Sequence, residues 1–187
     1  MNSTIKITTA EGEKDLQQIL ILQGANHISN ISAENHVENG FLTVKHDLPV
    51  LIKMAQEIQQ VIAKDGDEVI GFALSMIRSF SSLVPILVPM FSLFETIKYR
   101  GKFLNEYNYY VMGQICVAKE YRGKGIFDQL YLKHKELFSD QFELCVTEIS
   151  VRNLKSLKAH LRVGFEVVYS FKDETEEWNI VIWDWKN

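Results

Sequence analysis

The residues from Val117 to Leu130 have the types and the spacing to hold a phosphate group. An apolar run ends at Val117, a short turn follows with Gly123 and Gly125, and apolar residues resume at Ile126 and Phe127. Paired glycines let a backbone turn sharply and come close to a ligand. The free N–H groups of a first helical turn, together with the helix dipole, attract an anion. Arg122 and Lys124 add positive charge beside them. Each part suits a pyrophosphate. The stretch is neither a nucleotide-triphosphate loop, since no Ser or Thr follows a Gly-Lys pair, nor a GxGxxG dinucleotide turn.

A second segment, Ile149 to Phe165, holds polar groups at helical spacing. Asn153 is a good helix N-cap, and Gly164 a good helix stop before a new strand at Phe165. Ser156 and His160 lie one turn apart within that helix, His160 among Leu157 and Leu161.

These two segments resemble the GNAT superfamily of acyl-CoA-dependent N-acetyltransferases. The family's cofactor signature runs Gln or Arg, two free positions, Gly, one free position, then Gly or Ala. Arg122 and Gly125 match it, and Phe127 departs from it at the last position. Asn153, Ser156, Gly164 and Phe165 match the family's second pattern, which begins 28 positions after Gly125. The resemblance covers roughly Glu68 to Val168. It implies acetyl-CoA as co-substrate, with Val117, Arg122, Gly123, Lys124, Gly125, Ile126, Phe127, Asn153 and Ser156 around it.

It also implies acyl transfer to an amine of a small molecule or peptide. An alkyl amine with a pKa near ~10 must lose a proton before it attacks. Charge on the carbonyl oxygen needs donors, and the departing thiolate benefits from one. The family's usual donor is a tyrosine at the position held here by His160. An imidazolium would serve, since histidine titrates near ~6.5; a neutral structural histidine fits the helix face equally well. Glu106 and Glu148 are acidic groups near the expected site, each also readable as a solvated charge, and ordered water is an alternative base. Gln114, polar in an apolar run, is placed to line the acceptor pocket with Glu106. A non-catalytic acyl-CoA-binding or sensing module is the competing function.

Composition bounds the rest. A formal charge of −4, from 20 basic and 24 acidic residues, gives no basic excess for nucleic acid or an anionic membrane. Cys116 and Cys145 sit in apolar runs without CxxC spacing and read as small buried hydrophobes. The five histidines form no metal pattern. The longest apolar stretch, Leu83 to Phe94, is too short to span a bilayer and holds two prolines. The expectation is a cytoplasmic protein without metal.

To position the two segments, the chain offers alternating β and α patterns. Strands are expected near Ile5 and Ile7, at Gln60–Ala63 and Glu68–Ile77 around an Asp65-Gly66-Asp67 turn, at Tyr109–Val117, Glu143–Val151, Phe165–Phe171 and Trp178–Trp185. Helices are expected at Asp15–Gln23, after an Asp47 cap with Pro49, at Lys124–Phe138 and at Asn153–Val163, with a loop or broken helix over Gly24–Asn39. The fold class is α/β (α+β): one domain over 1–187, a mixed, mostly antiparallel central sheet flanked by helices. The strands at Tyr109 and Glu143 are expected to lie parallel, because a helix crosses between them. Ser79 to Asn108 breaks the rhythm as an insertion at 79–108. Met90, Phe91, Leu93, Phe94 and Ile97 cover more than one helix face there, so the insertion is expected to hold a helix and to serve the acceptor site or a homodimer contact.

Overall fold

The computed structural model of the chain describes residues 4–31, 40–83 and 88–186, with backbone only at 81–83. Its elements in order are β1 (Ile5–Thr9), α1 (Gly12–Asn26), α2 (Leu48–Glu57), β2 (Val61–Asp65), β3 (Glu68–Met76), α3 (Val88–Phe94), β4 (Lys98–Tyr99), β5 (Lys102–Phe103), β6 (Tyr109–Val117), α4 (Ile126–Phe138), β7 (Leu144–Ser150), α5 (Leu154–Val163), β8 (Glu166–Lys172) and β9 (Glu177–Asp184). Part of the expected 24–39 loop, at 32–39, lies outside the described residues, as does Pro85 of the insertion.

Seven strands form one sheet in the order β1-β2-β3-β6-β7-β9-β8. β6 and β7 are parallel, and every other neighbour pair in that sheet is antiparallel. The reason is connectivity. Tight turns join the antiparallel pairs β2–β3 and β8–β9, whereas α4 carries the chain across the sheet between the parallel strands β6 and β7. Alternation along the strands then feeds two cores. Leu74, Val111, Val146, Ile180 and Ile182 face one way, under α1, α2 and α3. Ala73, Tyr110, Cys145 and Val181 face the other, under α4 and α5. Both cysteines are buried free thiols.

Local signals set the helix ends. Asp47 accepts a hydrogen bond from Val50 N–H at 2.9 Å, and Pro49 stands in the first turn of α2. Asn153 accepts from Ser156 N–H at 3.3 Å to start α5, and Gly164, at φ +116°, ends it. α1 is longer at both ends than its apolar pattern predicts; at its start, Asp15 accepts from Glu11 N–H at 3.0 Å and pairs with Lys64 at 2.8 Å.

The insertion holds α3, as expected, and a small β4–β5 hairpin. Its apolar residues find cover within the chain. Met90, Phe91, Phe94 and Ile97 are buried within the chain's own core, against Tyr109, Val111, Leu144 and Ile182. The sheet takes one side of α3, and Leu104 and Tyr107 of the following loop pack into the same cluster. A helix held between two layers buries more than one stripe.

Candidate active site

β6 and β7 pair only from Tyr109↔Leu144 to Val111↔Val146. A hydrogen bond from Thr147 Oγ1 to Met112 C=O, 2.7 Å, is the last link across them. Beyond it the strands part, each held by its outer neighbour: β6 follows β3 to Gly71↔Val117, and β7 follows β9 to Ser150↔Trp178. β6 carries an extra residue here. Leu74 pairs with Gln114 but Ser75 pairs with Met112, so Gly113 stands as a bulge at the gap.

A cavity of about 560 Å³ opens on this gap. One wall is the turn from Arg122 to Asp128, and the other is the face of α5 that carries Lys155, Lys158, Ala159 and Arg162. Gly123 and Gly125 take φ +77° and +76°, the left-handed region that favours glycine, and Gly125 is the N-cap of α4. The first N–H groups of α4 therefore open towards this wall. Val117, Ile126, Phe127, Asn153 and Ser156 also line the cavity. Ile126 is anchored in the core at 2% exposure.

The two basic residues of the turn differ. Arg122 lines the cavity but also ties the site together, donating from Nε to Val117 C=O at 3.0 Å and from a terminal nitrogen to Asn26 Oδ1 at 2.6 Å. Lys124 is exposed, and its side chain lies over the Tyr121 ring at 4.7 Å, outside the cavity's described lining. Lys155 and Lys158 of α5 supply positive charge on the facing wall, while Arg162 beside them pairs with Asp128 of α4.

A second pocket of about 70 Å³ adjoins the first. Phe41, Leu42, Ile115, Asn153 and Ser156 line both. Thr43, Gly113, Gln114, Thr147, Glu148 and Trp178 line the second alone. Burial pushes the Glu148 carboxyl up to about 7, and the negative charge of Asp173 adds to the shift. Its Oε1 is buried without a hydrogen-bond partner among the described residues. Gln114 reaches this pocket, but its amide is a crossbar. It accepts from Gln23 Nε2 at 2.7 Å and donates to Val44 C=O at 2.6 Å, pinning α1 and the 40–46 segment to β6. Glu106 is not at the site. Its carboxylate accepts from Phe103 N–H at 2.7 Å in the insertion, beside the paired start of β6 and away from the gap. Nearness in sequence to β6 misled, because only that strand's far end borders the gap.

His160 is 2% exposed, and its ring meets Phe127, Tyr131 and Phe165 edge to face at 5.1 to 5.3 Å. Nδ1 lies 2.8 Å from Ser156 C=O, which can only accept, so Nδ1 carries the proton. Nε2 is buried without a partner among the described residues. Burial holds the ring's pKa down at about 4. Burial disfavours the imidazolium expected at this position and leaves the ring neutral at pH 7, with aromatic rings around it and the second pocket beside it.

Among the described residues no cluster of three or more His, Cys, Asp or Glu could hold a metal ion. No described helix is long and apolar enough to cross a membrane.

Comparison with known proteins places this geometry. Solved structures of similar fold include the ribosomal-protein-S18-alanine N-acetyltransferase of Escherichia coli (TM-score 0.63, 13% identity, covering 97% of this chain and 94% of that one). They also include yncA of Salmonella typhimurium with its cofactor acetyl-CoA (TM-score 0.64, 14%, 97% and 94%). A third is Naa50 of Arabidopsis thaliana in complex with the bisubstrate analogue CoA-Ac-MVNAL (TM-score 0.62, 14%, 95% and 97%). At such identities the likeness is one of fold. A search of curated protein sequences returns no match. The family model for Acetyltransferase (GNAT) matches residues 29–165, which span the gap, the glycine turn and the Asn153 helix. The chain belongs to the GNAT acetyltransferase family.

Proposed function

We propose that the chain is an N-acyltransferase that moves an acetyl group from acetyl-CoA to the amine of a small molecule or peptide. The observation that carries this reading is the wall shared by two unlike pockets. One is rimmed by an anion-binding turn, and the other holds an unpaired, buried carboxyl.

Acetyl-CoA supplies the activated acyl group. The N–H groups of Gly123 to Phe127 donate to its pyrophosphate, and the α4 dipole favours that negative charge. Lys155 and Lys158 give the facing wall positive charge. Past Val111, β6 has no β7 partner, so its backbone can pair with the amides of the pantetheine arm as an added strand would. The Gly113 bulge lies beside the second pocket, and backbone N–H groups there serve as donors to charge building on the carbonyl oxygen.

The acceptor amine arrives protonated, with a pKa near ~10. Glu148, poised at about 7, is the general base. Glu148 lines a pocket that also has Trp178 in its wall, a setting that favours a cationic amine. Measuring CoA release across a broad amine panel tests the reading, and acetyl-CoA titration tests its first half. Tight acetyl-CoA binding without release for any amine would favour a binding or sensing module. The neutral His160 suits that second reading; the unpaired Glu148 tells against it.

A further inference from the structure

We infer that the Ser156 hydroxyl is the donor to the departing coenzyme A thiolate, with His160 as the residue that aims it. This rests on the acyl-CoA reading above and assigns the one role that reading leaves unfilled.

The thioester must lie where the two pockets meet, since its acyl end faces the acceptor and its other end leads to the phosphates. Five residues line that junction: Phe41, Leu42, Ile115, Asn153 and Ser156. Three have apolar side chains. The Asn153 amide is held at both ends, Oδ1 accepting from Ser156 N–H at 3.3 Å and one N–H of Nδ2 donating to Phe41 C=O at 3.1 Å. Ser156 brings the junction's one side-chain hydroxyl among the described residues.

His160 fixes the direction of that donor. Its Nδ1 must carry hydrogen, because Ser156 C=O lies 2.8 Å away and cannot donate. The same Nδ1 lies 3.3 Å from Ser156 Oγ. Towards a nitrogen that already bears a proton, Oγ acts as an acceptor, so its own O–H is left for the junction. The aromatic cage of Phe127, Tyr131 and Phe165 holds the ring in this pose. His160 is thus a positioning residue, and Ser156 Oγ is the group that touches the leaving sulfur.

Bookkeeping of the step is simple. The amine nitrogen bonds to the acyl carbon as the carbon–sulfur bond breaks, and that bond's electron pair goes to sulfur. The ammonium gives one proton to Glu148 before attack, Glu148 passes it to solvent, and the nitrogen gives Glu148 a second proton as the carbon–sulfur bond breaks. Ser156 keeps its proton and shares it with the thiolate, which solvent protonates on release. A hydrogen bond to a charged acceptor is among the stronger ones a side chain makes.

The test needs no acceptor. Coenzyme A and desulfo-coenzyme A, which lacks the thiol, are titrated calorimetrically into wild type and Ser156→Ala from about pH 6.5 to about pH 9.5, across the ~8.5 of a free thiol. In wild type the preference for coenzyme A over desulfo-coenzyme A should rise with pH as the bound thiol ionises. In Ser156→Ala that rise should shrink on the order of 10-fold, with desulfo-coenzyme A affinity unchanged. Ser156→Thr keeps the hydroxyl and should restore it. Asn at position 160 keeps an N–H near Nδ1, so His160→Asn should preserve the rise and His160→Leu reduce it. Repeating the series in Glu148→Gln removes the titration of the nearby carboxyl. An identical pH-dependent preference in wild type and folded Ser156→Ala overturns the assignment and leaves the acyl-CoA reading standing. A wild type that binds neither compound overturns both.

Discussion

The rings of Phe127 and His160 meet edge to face with centroids 5.2 Å apart. These are the two positions at which the chain departs from the usual family patterns, and the contact makes them one departure. The large side chain at the start of α4 fills space between α4 and α5, and the histidine on α5 is buried against it. We expect Phe127→Ala to let solvent reach the ring and to raise the His160 pKa from about 4 towards ~6.5. The sign for stability follows. With its folded pKa below its unfolded one, His160 adds stability that is full above ~6.5 and is lost as pH falls towards about 4. Phe127→Ala should flatten that acid limb. Histidine carbon-proton shifts followed against pH check the first effect, and denaturant midpoints at pH 7 and pH 5 check the second. An unmoved His160 titration in the variant would break the link between the two residues.

Backbone conformation at the turn carries the next expectation. Gly125 is in the left-handed region at φ +76°, and an added Cβ would find only Gln129 Nε2 at 3.9 Å, so the obstacle to a side chain is conformation and not space. Gly125→Ala should weaken acetyl-CoA binding several-fold through that strain, which is about 1 kcal/mol. Gly125→Asp should weaken it further, because it sets a carboxylate at the positive end of α4. Calorimetric titration of both variants separates the two contributions. Equal affinity for wild type and a folded Gly125→Asp would remove the pyrophosphate from this turn.

Most of this frame was legible in the chain itself. The glycine turn, the Asn153 cap and the apolar runs at Tyr109 and Glu143 carry short-range signals, and a helix between two strands dictates parallel pairing. What pattern does not carry is which way a buried side chain meets its neighbours. Glu148 was readable as a carboxylate inside an apolar strand. Its unpaired state depends on β6 moving away from β7, which no local pattern encodes. Gln114 looked like a ligand-binding group because its two partners, Gln23 and Val44, lie 91 and 70 residues away. His160 had the right position for an acid, and only the packing of three distant rings shows that it is neutral.

For Glu148 we expect a paired signature in rate and stability. With a pKa of about 7, the base form grows as pH rises through neutrality, so turnover should climb over that range. Glu148→Gln should lower turnover by roughly 10²-fold or more, flatten the climb and spare acetyl-CoA affinity. The stability sign is opposite to that of an ion-paired carboxylate. A folded pKa raised above the ordinary value of 4.5 means that the charged form is disfavoured in the fold. Wild-type stability should therefore fall as pH rises from 4.5 through about 7, and Glu148→Gln should be the more stable protein at pH 8. Melting temperatures of the two proteins at pH 5 and pH 8 check this. A variant that loses activity without gaining stability at pH 8 would mean that Glu148 is not held in the desolvated state described.

The insertion supplies the last expectation, because its side chains are part of the core. Phe94 is fully buried, and its ring meets Phe91 at 6.2 Å and Tyr109 at 6.1 Å. The hairpin tip beyond it is fastened to the far edge of the sheet. Tyr99 O–H donates to Glu166 at 2.5 Å, and Arg100 pairs with Asp184 at 3.3 Å. Phe94→Ala should cost about 3 to 5 kcal/mol, as for other fully buried phenylalanines. That is a large share of the ~5 to 15 kcal/mol that holds a typical domain together. Arg100→Ala should cost no more than about 1 kcal/mol, since its guanidinium is half exposed. Neither residue lines either pocket, so acetyl-CoA affinity measured well below the melting transition should stay at the wild-type value. Excision of 79–108 should leave a protein that does not fold, because Tyr109, Val111, Leu144 and Ile182 would lose their cover. Chemical denaturation of the point variants, with acetyl-CoA titration alongside, makes the comparison. A Phe94→Ala protein of unchanged stability, or a folded and active excision variant, would show that the segment is an ornament on a core complete without it.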